Sequence, residues 1–514
     1  MDLDLMSLKT GDNFLYDLPN VERIEQQFIK KIDSTEYALA LDAAEALFQE
    51  LTREFGQPSN ITVFCGGGKN AADGYLLSAL ASAKSISVKV FELGNPLQFS
   101  PTVARARELA LAGNAELNVF TGEETIERGL IVDALIGIGL RGKLREKYRC
   151  AIRKINFSNL PTLSIDVPSG LNAGTGGVLD IAVNADLTVT FLVYKQGFFT
   201  GHGPSCCGSL ILRCLGMERE ESLSELASAS IMHREKLCKM LPSRLNYSYK
   251  TNYGHVLVIG GDYGYAGAGI IAAQGAARTG AGLVSLATRP EHISAMLTRQ
   301  PEVMAIGVSS GQELEPFLSR PSVLVLGPGL GISAWSEQLL HIALDKKIST
   351  VIDADALNII SSKKVQFSRE HAENCVITPH PGEAARLLDI SVKEVELDRV
   401  SAAIELQNIF GTTVVLKGSG TIVCGRSSEL VSICPYGNPG MASAGMGDLL
   451  SGVIGGLLAQ SLPCLSAAEL GCCLHSYAAD LVVDELGEKG LLATDLLRPI
   501  SDQLMIEGRS GGPI

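Results

Sequence analysis

The stretch MEREESLSELASASIMHREKLCK (217–239) decides how this chain folds. Charges crowd together there, and the glycine-punctuated alternation of apolar runs and helix-like stretches that fills both sides of it stops. Outward toward the N-terminus, β-branched apolar runs fall at 61–64, 88–93, 130–136, 162–167 and 187–193, separated by helix-like text such as 75–84. Outward toward the C-terminus the same rhythm returns at 256–259, 283–287, 323–326, 350–352, 376–378 and 413–416. Continuous apolar strands alternating with helices are the pattern of parallel sheets covered on both faces. The chain therefore reads as α/β with two doubly wound domains, 1–225 and 235–514. In such sheets ligands sit beyond the carboxyl ends of the strands, so the residues that follow each apolar run carry the information about function.

Composition narrows that function. Of 514 residues, 46% are hydrophobic and 19% charged, which suits large cores and excludes disorder. A net charge of -13 disfavours a polynucleotide partner, because a phosphate backbone calls for a basic footprint. Fifty-four Gly against one Trp implies many tight turns where backbone approaches a ligand, as in a nucleotide-using enzyme. The twelve Cys include the adjacent pairs Cys206-Cys207 and Cys472-Cys473 but no zinc spacing, and no secretory signal opens the chain. These features predict reduced thiols and a cytoplasmic protein. The uncharged stretch 449–468 is long enough to raise the question of a membrane span, but Gly455, Gly456, Gln460, Ser461 and Pro463 interrupt it, so it reads as buried helix.

Three strand ends in the first half carry chemistry. The segment CGGGKNAADG (65–74) offers three glycines and a following helix N-terminus, an arrangement that receives anions or serves as a plain βα turn. The segment GIGLRGK (137–143) matches G-x-G-x-x-G, but Leu144 stands where a P-loop needs Ser or Thr, so a Walker reading fails. The third, DVPSG (166–170), ends its strand at Pro168 and turns at Gly170. Asp73, Asp133 and Asp166 thus share one sheet edge. One such carboxylate alone reads as a helix cap, whereas three either coordinate a cation or act on a ligand.

Together these motifs resemble the YjeF N-terminal domain of the NAD(P)H-hydrate epimerase family over 22–216. The resemblance implies that Asn70, Asp133 and Ser169 hold potassium. It further implies that Lys69, Asn70, Ala71, Ala72 and Asp73, the loop of Gly137, Ile138, Gly139, Leu140, Arg141, Gly142 and Lys143, and a catalytic Asp166 contact the hydrated dinucleotide. The first motif departs from the family's N-N-G-G-D-G, with Lys69 for Asn and Ala71-Ala72 for the glycine pair. Added Cβ atoms in a phosphate loop and a cation beside Asn70 predict slow epimerisation.

In the second half, 256–259 runs into GGDYGYAGAG (260–269) and a helix of small residues suited to close packing. GPGLG (327–331) is another turn that brings backbone to a ligand, and DADALN (353–358) places two carboxylates at spacing two, on one side of an extended segment. His380 lies between Pro379 and Pro381, which restrict the backbone on both sides. KGSGT (417–421) offers a cation plus bare backbone, as a phosphate tail needs. NPGMASAGMGD (438–448) precedes the uncharged helix, so that N-H groups converge on an anion and Asp448 can take a proton from a substrate hydroxyl.

A glycine-rich anion hole with an adjacent Asp resembles the ribokinase-like superfamily. Within it, GPGLG (327–331), DADALN (353–358), TPHPGE (378–383), KGSGT (417–421) and NPGMASAGMGD (438–448), five motifs in order, resemble the ADP/ATP-dependent NAD(P)H-hydrate dehydratases over 244–500. The resemblance implies that Ala268, Gly329, His380 and a catalytic Asp448 contact the hydrated nucleotide. Lys417, Gly418, Ser419, Gly420, Thr421 and Gly447 would hold ADP or ATP with magnesium. Both halves then serve one metabolite: the second phosphorylates the ring hydroxyl of hydrated NADH or NADPH and eliminates phosphate, and the first interconverts the R and S hydrates. Small-molecule substrates, no nucleic acid, no membrane and a homo-oligomer are the expected partners. A hydroxymethyl kinase sharing Asp448, a Rossmann oxidoreductase using Gly137 to Gly142, and a non-catalytic first half are the competing readings.

Overall fold

Along the strand Asn60–Cys65, Ile61, Val63 and Cys65 enter one apolar cluster and Phe64 enters another. A strand whose alternate side chains are both buried belongs inside a sheet covered on two faces. The computed structural model describes residues 13–126, 128–140, 142–217, 221–426 and 430–505, and it divides after Ser230 into two units. In the first, a 7-stranded parallel sheet runs in the order Glu116–Val119, Ser87–Glu92, Asn60–Cys65, Leu130–Ala134, Thr162–Ile165, Leu187–Phe191, Ser209–Arg213. Helices Glu36–Phe55, Lys69–Ala83 and Pro101–Ala112 supply Leu47, Leu76 and Val103 to one face. Helix Glu146–Phe157 covers the other with Ala151, Ile152 and Ile155. The chain builds outward from Asn60–Cys65 and then returns to Leu130–Ala134 on its other side, so the switch point lies between those two strands.

The second unit repeats the logic. Its sheet runs Val431–Ile433, Ile422–Cys424, Thr413–Leu416, Cys375–Ile377, Ser349–Ile352, Val323–Leu326, His255–Ile259, Leu283–Thr288, Met304–Gly307. The switch point falls between His255–Ile259 and Val323–Leu326. Strands Ile422–Cys424 and Val431–Ile433 are antiparallel, a hairpin edge on an otherwise parallel sheet that the sequence pattern does not reveal. The uncharged stretch 449–468 is split between two helices, Met446–Ala459 and Cys464–Leu486. Met446–Ala459 packs on Ala266–Arg278 so closely that a Cβ on Gly452 would lie 1.9 Å from the Ala272 carbonyl oxygen. Among the described residues no helix is long and apolar enough to cross a membrane.

Two local readings are corrected. Helix Lys69–Ala83 begins six residues before the expected 75–84, so Asn70, Ala71, Ala72 and Asp73 are helical and not part of an open loop. Asp353 is the N-cap of helix Ala354–Ser361, which places Asp355 in the first turn and sends the two carboxylates in different directions rather than along one side of an extended segment.

Candidate functional sites

At the first switch point lies a cavity of about 730 Å³, lined from the sheet edge by Asp73, Gly137, Asp166 and Lys195, among others. The loops around it are locked by close backbone approach: Gly66 N donates to Ala134 O at 3.1 Å, and a Cβ on Gly66 would sit 1.9 Å from Leu135 O. Asp166 occupies the left-handed region at φ 60°, which is unusual for a residue with a side chain. Its Oδ1 accepts from Lys195 Nζ at 2.6 Å, Thr190 Oγ1 at 3.0 Å and Phe191 N at 3.3 Å. Lys195 is only 1% exposed and also donates to Thr190 Oγ1 at 2.7 Å and Phe191 O at 3.1 Å. Across the cavity, burial pushes the Asp73 carboxyl well above the usual range. Asp166 and Glu25 add to that rise and Lys69 opposes it.

Lys69, Asn70, Ala72, Asp73, Gly137, Ile138, Gly139, Leu140, Lys143 and Asp166 all line this cavity. Ala71 and Gly142 are not among its lining residues, and Arg141 lies outside the described residues. The backbone strain expected of the alanine pair is absent, and of the two only Ala72 lines the cavity. Ala71 and Ala72 are helical, lack positive φ and belong to the core cluster beneath the helix. The Lys69 ammonium is also compensated, by Glu36 at 2.8 Å and Glu25 at 3.1 Å. The physical grounds for slow epimerisation therefore fall away.

Asp133 lies inside its strand and is fully buried beneath the cavity, not at its wall. It accepts from Ser169 Oγ at 2.6 Å, Ser169 N at 2.8 Å, Ser164 Oγ at 2.9 Å and Leu135 N at 3.2 Å. Burial raises its pKa, and hydrogen bonds from Ser169, Leu135 and Ser164 oppose the rise. Asn70 is buried with Nδ2 lacking a partner, and its amide packs against Gly137. Asp133 is fully buried and held only by neutral donors, the Ser169 hydroxyl among them, so its charge is one that a hard monovalent cation would compensate.

The second site is built by two loops that hold each other. Gly261 N donates to Pro328 O at 3.0 Å and Asp262 N to Gly329 O at 2.7 Å. Gly329 has φ 58°, and a Cβ there would come within 3.0 Å of Ala268 Cβ, so these two positions face one another. Gly445, at φ 88°, starts helix Met446–Ala459 and sets Asp448 in its first turn. Burial pushes the Asp448 carboxyl to about 6, with Asp353 and Asp355 also raising it and Lys417 lowering it. Lys417 Nζ donates to Asp353 Oδ1 at 2.6 Å, lies 3.9 Å from Glu383, and would be 3.2 Å from a Cβ on Gly447. Burial works to lower its pKa, but Asp353, Glu383 and Asp448 together hold it above the ordinary value. Lys417 and the helix start thus meet.

His380 caps helix Pro381–Leu388, its Nδ1 accepting from Gly382 N at 2.9 Å. That leaves the proton on Nε2, 3.3 Å from Glu383 Oε1. Burial, then Lys417 and Arg386, keeps the ring neutral. Glu383 itself is pushed to about 7 by burial and Asp353, with Lys417 opposing. Gly418 and Ser419 are exposed at the rim, and Thr421 Oγ1 donates to Gly418 O at 3.0 Å. Behind them, buried Arg399 donates to Leu416 O at 3.2 Å and Lys417 O at 3.0 Å, fixing the loop.

Sequence reasoning missed Lys195, Glu383 and Arg399. Lys195 lies two residues beyond the 187–193 run and Glu383 ends the motif already quoted, so strand-end position could have found both. Arg399 opens a helix far from the loop in sequence and leaves no local signal.

A model of the family described as NAD(P)H-hydrate dehydratase matches residues 256–502, and one described as YjeF-related protein N-terminus matches 36–197. The bifunctional NAD(P)H-hydrate repair enzyme Nnr of Coxiella burnetii is 42% identical over 482 residues, covering 94% of this chain and 97% of that protein. The Escherichia coli enzyme of the same name is 38% identical over 483 residues, covering 93% and 91%. A solved ADP/ATP-dependent NAD(P)H-hydrate dehydratase from Bacillus subtilis, co-crystallised with ATP and Mg2+, is 27% identical, with TM-score 0.47 over 53% of this chain and 96% of its own.

Proposed function

The chain belongs to the bifunctional NAD(P)H-hydrate repair enzyme family, and from that premise we propose which side chains carry its dehydratase and epimerase activities. The dehydratase uses an adenine nucleotide. In our reading Ala268, Gly329, His380 and Asp448 hold the hydrated nicotinamide, and Lys417, Gly418, Ser419, Gly420, Thr421 and Gly447 hold ADP or ATP with its Mg2+. The ring hydroxyl attacks the terminal phosphorus while Asp448 takes the hydroxyl proton. Phosphate then leaves C6 with the electrons of the C–O bond, the N1 lone pair forms C6=N1, and loss of the C5 proton restores the dihydropyridine. Phosphate is a far better leaving group than hydroxide, which is why a nucleotide is spent on a dehydration.

The observation that carries this reading is the meeting of Asp448, Lys417 and Gly447 at one helix start. Lys417→Gln, which can still donate to Asp353, should raise the KM for ADP or ATP about tenfold or more with little change in hydrate KM. Asp448→Asn should lower kcat instead. If Lys417→Gln weakens hydrate binding and spares the nucleotide, the subsites are reversed.

In the first unit Asp73, Asp166, Gly137, Ile138, Gly139, Leu140 and Lys143, all of which line the cavity, contact the hydrate in our reading. Asn70, Asp133 and Ser169 would hold potassium, which supplies positive charge beneath the cavity when bound. A cytoplasmic location is supported by the cysteines, all of which are free.

A further inference from the structure

Asp73 and Asp166 line one cavity, Asp73 from helix Lys69–Ala83 and Asp166 from the residue after strand Thr162–Ile165, yet their surroundings differ. Asp166 has an ammonium at 2.6 Å, and Oδ1 takes three donors while Oδ2 takes none of them. Asp73 faces Asp166 and Glu25, two further carboxylates, with Lys69 drawn toward Glu25 and Glu36. Two carboxyl groups in one cavity, one with an ammonium at 2.6 Å and the other set among further carboxylates, are the arrangement that separates a base from an acid.

We propose that the first unit epimerises by exchanging the C6 hydroxyl with water, Asp73 acting as general acid, Asp166 as general base, and Lys195 as the residue that positions Asp166. This rests on the epimerase reading of that cavity and adds the chemistry. Asp73 gives its proton to the C6 hydroxyl, and the C6–O bond breaks with its electron pair leaving on water. The N1 lone pair forms C6=N1. A water then adds to the opposite face of C6, returning the pair to N1, and Asp166 takes the proton that water loses. Proton transfer from Asp166 to Asp73 through solvent restores the starting state, with water as the only co-reactant and no change of oxidation state. The buried ammonium of Lys195 is explained by this role. A lysine this deeply placed needs a carboxylate partner, and its three acceptors form a socket that aims Nζ at Oδ1.

The test uses the full chain without ADP or ATP, so that dehydration is silent, and the isolated R hydrate in H2 18O against a protein-free control. The expected result is S hydrate formed well above background, carrying one 18O for each epimerisation. Epimerisation above background with the original oxygen retained would overturn the exchange mechanism while leaving the epimerase reading standing. No epimerisation above background would overturn that reading itself, and the mechanism with it. Lys195→Met should lower kcat at least about a hundredfold with KM little changed. Lys195→Arg should recover part of that rate, and Lys195→Met combined with Asp166→Asn should be no slower than Asp166→Asn alone. A Lys195→Met protein within threefold of the unmodified rate, or additive losses in the double variant, would remove Lys195 from its role.

Discussion

Asp448 shows how one residue's environment becomes a rate. A base with a pKa pushed to about 6 in the free protein is ionised above that pH, so dehydratase kcat/KM should be level at neutral pH and fall about tenfold per unit below 6. A pH profile with no break near 6 would take Asp448 out of the proton transfer. Asp448→Asn should lower turnover about a hundredfold or more. The same variant should be the more stable protein at pH 8. The folded pKa lies above the ordinary 3.8, so the folded state binds more protons between about 4 and 6 and loses stability as pH rises through that window. Relieving this is worth about 1–3 kcal/mol, more than the 0.3–1 kcal/mol that a carboxylate gives a helix N-terminus. Urea unfolding at pH 8 reads the difference, and a variant less stable than the parent would contradict it. At this scale the sequence made Asp448 and His380 legible because each follows a strand-end motif. Lys195 was hidden, because a lysine is normally a surface residue and only its acceptors, Thr190 and Phe191 on the strand before it and Asp166 beyond the neighbouring strand, make it otherwise.

At the scale of elements, the site depends on turns that exclude side chains and on one buried ion pair. Gly327 has φ 119°, and a Cβ there would lie 1.8 Å from Asp353 O, so Gly327→Ala forces apart two strand ends, the one proposed to hold the hydrate and the one whose Asp353 holds Lys417. We expect Gly327→Ala to destabilise the second unit by about 2 kcal/mol or more and to abolish dehydration, read by thermal unfolding and by turnover. Lys417→Met should cost about 3–5 kcal/mol, because it strands Asp353, 1% exposed, without its cation. Adding Asp353→Asn should recover most of that stability but not nucleotide affinity. A double variant as unstable as the single would show that the pair is not the cause. The central strands were readable because burial on both faces writes an unbroken apolar run. The edge strands Glu116–Val119 and Met304–Gly307 were not, since their side chains are half-buried or exposed and need not be apolar. The early start of helix Lys69–Ala83 was hidden by glycines that read as a turn but only precede and enter the helix, and Asp353 looked extended because a cap residue is.

For the whole molecule, two doubly wound sheets each place their chemistry at a switch point, and the family assignment joins the two chemistries on one metabolite. Asp166→Asn should leave dehydration of the S hydrate within about twofold of the parent, and Asp448→Asn should leave epimerisation likewise, because the two sites share no residue. Loss of both activities from either substitution would show that the units are coupled. The measurement that bears most directly on the account is to incubate the purified chain with a mixture of R and S hydrated NADH plus ADP or ATP, following the absorbance of reduced nicotinamide. The account requires that absorbance to return for both epimers in step with nucleotide consumption, the R form disappearing faster than in protein-free buffer. A stable phosphorylated hydrate with no return of absorbance would contradict it and make the second unit a simple kinase.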